Sequence, residues 1–301
     1  MKKFNKDYRN CLTDLQSLFQ SFNPITSINS GQVFLWEKHG DSWYGIDGEQ
    51  IVRLTLKEER VEFASFPEDV AWSHSMFRMD DNARAVLGEI SRDPLVGRLV
   101  RTYPGLRLMR QKPHQCLFSF VCASNTNIPM IRRMLYSMTR KFGRPIKVDG
   151  MQFFTFPSPK DVDRASIDEL RCCGLGYRAK AIKAAAHAIT TGELNFDALV
   201  AAEYEAAKKE LLKVYGIGNK IADCILLFSL EKLDAFPIDV WIARALSGHY
   251  PWLREKKFGE KITSKQYEEL SSSARQYFGK YAGYAQQYLY YHMRQSAGKK
   301  W

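Results

Sequence analysis

No Cys-x-x-Cys pair occurs anywhere in the chain. The six cysteines stand at positions 11, 116, 122, 172, 173 and 224, a scatter that offers neither a zinc finger nor a four-cysteine iron–sulfur loop. The vicinal Cys172 and Cys173 and the otherwise isolated thiols suit a reducing compartment better than a disulfide scaffold. Apolar runs fall short of the roughly 18 residues a helical membrane span needs. The opening MKKFNKDYRN lacks the apolar stretch of a secretory signal, so the expected setting is intracellular, cytoplasm or nucleus. No low-complexity tract and no repeat at a fixed period is present. Neither a cofactor nor a metal set is readable.

What is present is a chain of 301 residues, long enough for two domains, with 45% hydrophobic residues to fill a core. Lys plus Arg exceed Asp plus Glu by 44 − 33 = +11. That balance favours a polyanionic partner and salt-dependent binding.

Short β signals fill residues 33 to 65: Val33 to Trp36, Ser42 to Ile46, Ile51 to Leu56 and Val61 to Phe63. Val52, Leu54 and Leu56 alternate with Arg53, Thr55 and Lys57, as in a half-buried strand. The connections are too short for parallel crossovers, which predicts an antiparallel meander. Beyond Phe66 the pattern turns helical, with Ile131, Met134, Leu135, Met138 and Phe142 at helical spacing. A further extended piece at Gln152 to Phe156 precedes Pro157, and an alanine-rich helix runs from Tyr177 to about Thr190. The expected fold class is α+β: an N-terminal antiparallel β-sheet domain, residues 1–112, packed on a larger α-helical domain, residues 113–301.

The most informative stretch is Leu211 to Asp239, LLKVYGIGNKIADCILLFSLEKLDAFPID. An apolar helix end is followed by the tight turn Tyr215-Gly216-Ile217-Gly218-Asn219 and a second helix opening at Lys220. Two glycines allow a sharp turn, and a helix start carries partial positive charge, so Gly216 and Gly218 suit a nucleic-acid phosphate. Nineteen residues after Lys220, Asp239 follows Pro237 and Ile238 where an N-cap carboxylate belongs. Lys220 is thus a candidate amine nucleophile and Asp239 its acid–base partner. Alone, Lys220 reads as a solvated surface residue and Asp239 as a plain cap; the joint pattern is the specific one.

That pattern resembles the helix-hairpin-helix Gly/Pro-Asp superfamily of base-excision DNA glycosylases, with the hairpin motif at about 204–231. Four further segments are similar to its eukaryote-type 8-oxoguanine DNA glycosylase/AP lyase branch: Gly31-Gln32-Val33-Phe34-Leu35-Trp36, Asn125-Thr126-Asn127, Gly174-Leu175-Gly176-Tyr177-Arg178-Ala179, and Ala282-Gly283-Tyr284-Ala285-Gln286. The resemblance implies a bifunctional DNA N-glycosylase and lyase acting through a lysine Schiff base, a monomer that binds double-stranded DNA containing 8-oxoguanine and no membrane. It gives Asn125 the space left by the extruded base, Tyr177 a wedge beside the opposite base, and Arg178 contact with that base. The carbonyl of Gly31 would accept the N7–H that distinguishes the lesion from guanine. Gln286 would read the Watson–Crick edge, and Cys224 and Tyr290 would sandwich the base. Tyr277, Tyr281, Tyr284 and Tyr288 read as a packing stripe instead.

Two positions depart from the family pattern. Met130 stands where an arginine usually contacts the opposite cytosine, which implies relaxed opposite-base selectivity; Trp241 stands where a histidine usually follows the aspartate. The competing readings are a glycosylase of the same superfamily with another damaged-base specificity, and a non-catalytic DNA-binding module. Lys220 argues against the alkylation-repair branch, and the lack of cysteine after Cys224 argues against the oxidised-pyrimidine branch.

Overall fold

The computed structural model describes residues 22–57, 60–253 and 262–298; Cys11 and the MKKFNKDYRN segment lie outside them. Strands β1 (Trp36–His39), β2 (Ser42–Asp47), β3 (Gln50–Leu56) and β4 (Val61–Phe66) form one antiparallel sheet in sequence order. A second hairpin pairs β5 (Pro145–Val148) with β6 (Met151–Phe154). Among the described residues, the helices of eight or more residues are α1 (Ala83–Ile90), α2 (Pro94–Thr102), α3 (Pro113–Cys122), α4 (Ile128–Phe142) and α5 (Arg178–Thr191). They continue with α6 (Tyr204–Leu212), α7 (Asn219–Ser229), α8 (Val240–His249), α9 (Ser264–Phe278) and α10 (Ala282–Ser296). None of the helices among the described residues is long and apolar enough to cross a membrane.

The meander is covered on both faces. Tyr44, Ile46 and Ile51 point into the main helical core, while Trp36, Val52, Leu54 and Val61 close a second core with Phe22, Trp72, Phe77 and Met109. Alternation along β3 follows from this, since successive side chains leave opposite faces. Leu56 departs from the expected pattern: it ends the strand beyond the second core and is 37% exposed. The first strand also starts later than its apolar run. Phe34 and Leu35 are buried as extended chain ahead of Trp36, with the Leu35 carbonyl accepting from the Ile46 N–H at 3.0 Å. The extended piece expected at 152–156 has a partner that proline and charge concealed, Pro145 to Val148. One side chain bolts the sheet to the helices: Gln115 of α3 donates to the Ile46 carbonyl and accepts from the Gly48 N–H, both at 2.7 Å.

Helix α7 is the axis of the helical part. Every residue from Ile221 to Ser229 is buried, as expected of a helix that is apolar nearly all round. It packs on α3 along one side and on α6 along another. Full burial of Ile225, Leu226 and Leu227 stabilises the fold by about 1.5–3 kcal/mol each. Helix α10 meets it at Leu227 and packs mainly on α8 and α2; its Tyr284 and Tyr288 are core residues. Tyr277 is not part of that stripe; it belongs to α9 and is 43% exposed. At Gly283 the α10 backbone meets the end of α7 so closely that a Cβ would lie 2.1 Å from Leu227 Cδ1 and 2.9 Å from the Leu233 carbonyl. Gly283→Ala should therefore cost about 1–3 kcal/mol through overpacking. Urea denaturation would show it as a lower midpoint with an unchanged slope.

Candidate active site

A cavity of about 400 Å³ opens where α3, α7, α8 and α10 converge beside the loop leading into β1. Seven of the residues singled out from the sequence line it: Gly31, Asn125, Lys220, Cys224, Asp239, Gln286 and Tyr290. The remaining five lie outside its lining. Met130 lies on the first turn of α4, Tyr177 and Arg178 sit beside the 123–127 loop, and Gly216 and Gly218 form the hairpin ahead of Lys220.

Lys220 stands in the first turn of α7, the end of that helix where burial gives way to partial exposure. Its ammonium lies 5.1 Å from the centroid of Phe120, which stacks on Phe228 at 5.4 Å and meets Phe34 edge-on at 5.8 Å. This aromatic back wall escaped the sequence reading because these phenylalanines sit in apolar stretches that look like ordinary core. Cys224, one turn after Lys220, is 3% exposed and close enough to feel that lysine's charge. Burial pushes its thiol up to about 12, so it offers a neutral, polarisable surface.

Asp239 caps α8, accepting from the Trp241 and Ile242 N–H groups at 2.9 Å each. Both bonds fall on Oδ1, which leaves Oδ2 for the cavity. Burial raises the carboxyl from its ordinary range, opposed by the cap amides and by the charges of Lys220 and Arg294. Lys220 and Asp239 therefore share one site and feel each other's charge. Trp241 is also in the lining, flanked by Arg244 and Arg294, whose guanidinium carbons lie 5.1 and 5.9 Å from its ring.

Gln286 is 5% exposed and spends its amide N–H on the Pro237 carbonyl at 3.0 Å. Its Oε1 is buried with no hydrogen-bond partner. An orphaned buried acceptor costs about 1–3 kcal/mol, and a ligand donor would repay it. Tyr290, one turn later on α10, has its phenol held neutral by burial and by the nearby Asp239 charge.

The Gly31 segment is held by three glutamines, of which only Gln32 belongs to a segment the sequence singled out. Gln287 donates to the Ser30 carbonyl at 2.8 Å and Gln111 to the Gln32 carbonyl at 2.9 Å. Gln32 turns back to bond Arg107 O at 2.9 Å and the Met109 N–H at 2.8 Å. The carbonyls on either side of Gly31 are thus engaged within the protein. Buried glutamines carry no local spacing signal, which is why only the fold exposes them.

At the cavity rim, Asn125 adopts φ +48, a left-handed conformation that asparagine tolerates better than most residues. Arg178 donates through Nε to the Ser124 carbonyl at 3.1 Å and stacks over Tyr177 at 4.5 Å. Tyr177 is 65% exposed and its hydroxyl reaches the same carbonyl at 3.3 Å. Met130 is 40% exposed on the first turn of α4, whose cap is the Asn127 side chain.

Residues 118–271 match the family model described as HhH-GPD superfamily base excision DNA repair protein, and residues 14–117 match that of the 8-oxoguanine DNA glycosylase N-terminal domain. The chain belongs to the HhH-GPD superfamily. Over 280 residues it is 31% identical to the N-glycosylase/DNA lyase OGG1 of Arabidopsis thaliana, covering 89% of this chain and 76% of that protein. It is 29% identical to the N-glycosylase/DNA lyase of Saccharomyces cerevisiae, covering 93% and 82%. Among solved structures it is similar to the Clostridium acetobutylicum 8-oxoguanine glycosylase/lyase in complex with double-stranded DNA containing cytosine opposite 8-oxoguanine. That match has a TM-score of 0.82 at 28% identity and covers 92% of this chain and 93% of the other. MBOgg1, solved with a low-affinity DNA ligand, matches at TM-score 0.83 and 28% identity, with 92% and 93% coverage.

The superfamily hairpin shows two glycines with different duties. Gly216 has φ +84, and a Cβ there would lie 2.3 Å from Ala181 Cβ on α5. Gly218 has ordinary extended geometry and open space around it. The first intrahelical bond of α7 runs from the Ala222 N–H to the Gly218 carbonyl, so the amides ahead of it have no partner within the helix. Gly216→Ala should destabilise the protein by roughly 2–4 kcal/mol, strain and overpacking together. Gly218→Ala should cost under about 1 kcal/mol yet weaken duplex binding by crowding an incoming phosphate. Thermal melts beside binding titrations separate the two; equal melting losses would refute the distinction.

Proposed function

We propose that this chain excises 8-oxoguanine from duplex DNA and nicks the resulting strand through a lysine Schiff base. The observation that carries this reading is the convergence of Lys220 and Asp239 on one cavity whose wall holds the orphaned acceptor of Gln286. A damaged base must leave the helix to be reached. The neutral faces of Cys224 and Tyr290 suit its rings, and Gln286 Oε1 suits a donor on its Watson–Crick edge. The Gly31 carbonyl accepts the N7–H of the lesion, and guanine, with an acceptor there, would leave that carbonyl unpaired at about 1–3 kcal/mol.

The unprotonated Lys220 amine attacks C1′ of the deoxyribose, and the glycosidic bond breaks with its electron pair on the departing base, which takes up a proton. Asp239 stabilises the positive charge that grows on the sugar, through the oxygen its cap bonds leave free. The nitrogen lone pair then breaks the C1′–O4′ bond, O4′ takes up the proton the amine gives up, and the Schiff base is formed. Abstraction of a C2′ proton then expels the 3′ phosphate. Asn125, Tyr177, Arg178 and the Gly216–Gly218 hairpin hold the distorted duplex in this reading. Lys220→Gln should abolish excision and borohydride trapping while duplex affinity stays within about twofold, and Asp239→Asn should slow single-turnover excision by at least about 100-fold. Normal excision by the lysine variant would sink the assignment.

Opposite-base selectivity is relaxed in the same proposal. Methionine at 130 lacks the directed donors that let arginine read cytosine, and Arg178 is engaged with the Ser124 carbonyl and the Tyr177 ring. Excision rates on duplexes with each of the four opposite bases should fall within about tenfold of one another, and Met130→Arg should widen the gap in favour of cytosine, since a bidentate contact discriminates by about 1–3 kcal/mol. A strong cytosine preference in the unaltered enzyme would contradict this.

A further inference from the structure

Lys220 and Asp239 lie on separate elements, and nothing in their own helices fixes one against the other. A buried cluster behind them does. Asp223, fully buried on α7 and one turn from Lys220, accepts the Tyr204 hydroxyl at 2.6 Å and the Tyr267 hydroxyl at 2.7 Å. Lys208 completes its shell at 3.2 Å and bonds Glu268 of α9 at 2.9 Å. The two tyrosine oxygens differ in their second partner: that of Tyr204 accepts from Lys208 Nζ at 3.1 Å. The Tyr267 oxygen also accepts the Ile238 N–H at 3.1 Å, the residue immediately before Asp239. One phenol thus joins the carboxylate on the lysine's helix to the backbone that aims the aspartate. Two more contacts from α9 reinforce it: Ser271 Oγ donates to the Phe236 carbonyl at 3.4 Å, and Ser264 Oγ accepts from Asn219 Nδ2 at 2.9 Å.

We infer that Tyr267 is a positioning residue for the Lys220–Asp239 pair, holding the two in register through the Asp223–Tyr267–Ile238 chain of hydrogen bonds. It touches no substrate, since it is 7% exposed and absent from the cavity lining. Its effect belongs to the rate of the chemical step, because a small misplacement of catalytic groups costs far more rate than affinity. This rests on the Lys220–Asp239 reading given above.

Tyr204 supplies a matched control. Tyr204→Phe and Tyr267→Phe each remove one hydroxyl from the same carboxylate; the first also frees one Lys208 bond, and only the second releases the Ile238 N–H. Single-turnover excision and borohydride trapping on a duplex with 8-oxoguanine opposite cytosine would be measured at saturating enzyme, beside duplex Kd and thermal melts. Tyr267→Phe should slow excision and trapping together by about 10- to 100-fold with Kd within twofold, while Tyr204→Phe stays within about threefold of the parent. Should Tyr267→Phe fail to fold, Ser271→Ala loosens the same segment at Phe236 and should slow excision several-fold at unchanged Kd. The inference is overturned if the tyrosine variants slow the reaction equally, if Tyr267→Phe matches the parent, or if only Kd changes. A parent enzyme that neither excises nor traps would instead refute the proposed function itself.

Discussion

The burial of helix α7 is the constraint on which the site depends. A helix sunk on every side from Ile221 to Ser229 cannot slide or rotate without opening the core, so its first turn is held with the rigidity of the interior. Lys220 stands where that burial ends. The helix also carries a carboxylate, Asp223, into the core, and an unpaired charge there would be prohibitive. The ammonium of Lys208 and the hydroxyls of Tyr204 and Tyr267 satisfy it, drawing α6 and α9 onto α7. The same bonds that make the charge tolerable therefore fix the surroundings of the lysine.

The far end of α7 is anchored with comparable care. Glu231 receives Arg78, itself fully buried, at 2.7 and 3.0 Å, and Arg110 at 2.9 Å. These arginines belong to the segment between the meander and α3, so the sheet side of the molecule is tied to the helix that holds the lysine. Glutamines 32, 111, 115 and 287 continue that seam with buried, directional bonds. The result is that Gly31, before the first strand, and Gln286, on the last long helix, reach one cavity from opposite ends of the chain.

Within the cavity, charged and neutral groups are neighbours. Lys220 and Asp239 face each other's charge with Arg294 acting on the aspartate, while Cys224 and Tyr290 remain neutral at ordinary pH because burial disfavours their anions. Phe34, Phe120 and Phe228 form an apolar wall beside the lysine. A low-dielectric slot of this kind strengthens every interaction between the pair and a developing sugar cation. The overall charge of +11 acts at longer range, drawing a phosphate backbone towards the surface before any specific contact forms.

The local sequence alone determined the meander, the glycine hairpin and the capping of α8 by Asp239, because each follows from short-range rules of alternation, turn chemistry and N-capping. It also carried the joint Lys220 and Asp239 pattern, which is specific through its order and spacing. Strand starts and ends escaped it where tertiary packing overrode the run, as at Phe34, Leu35 and Leu56. The tertiary structure decided everything that depends on distant segments meeting. Gly216 is bound to be glycine by Ala181, 35 positions earlier (216 − 181), and Gly283 by Leu227. Gln286 gained significance only when Pro237 took its donor and left its acceptor stranded. The link from Asp223 through Tyr267 to Ile238 joins three elements by two hydrogen bonds on one oxygen. Hydrogen-bond partners across a core leave no periodicity in the chain, so only the folded arrangement reveals them.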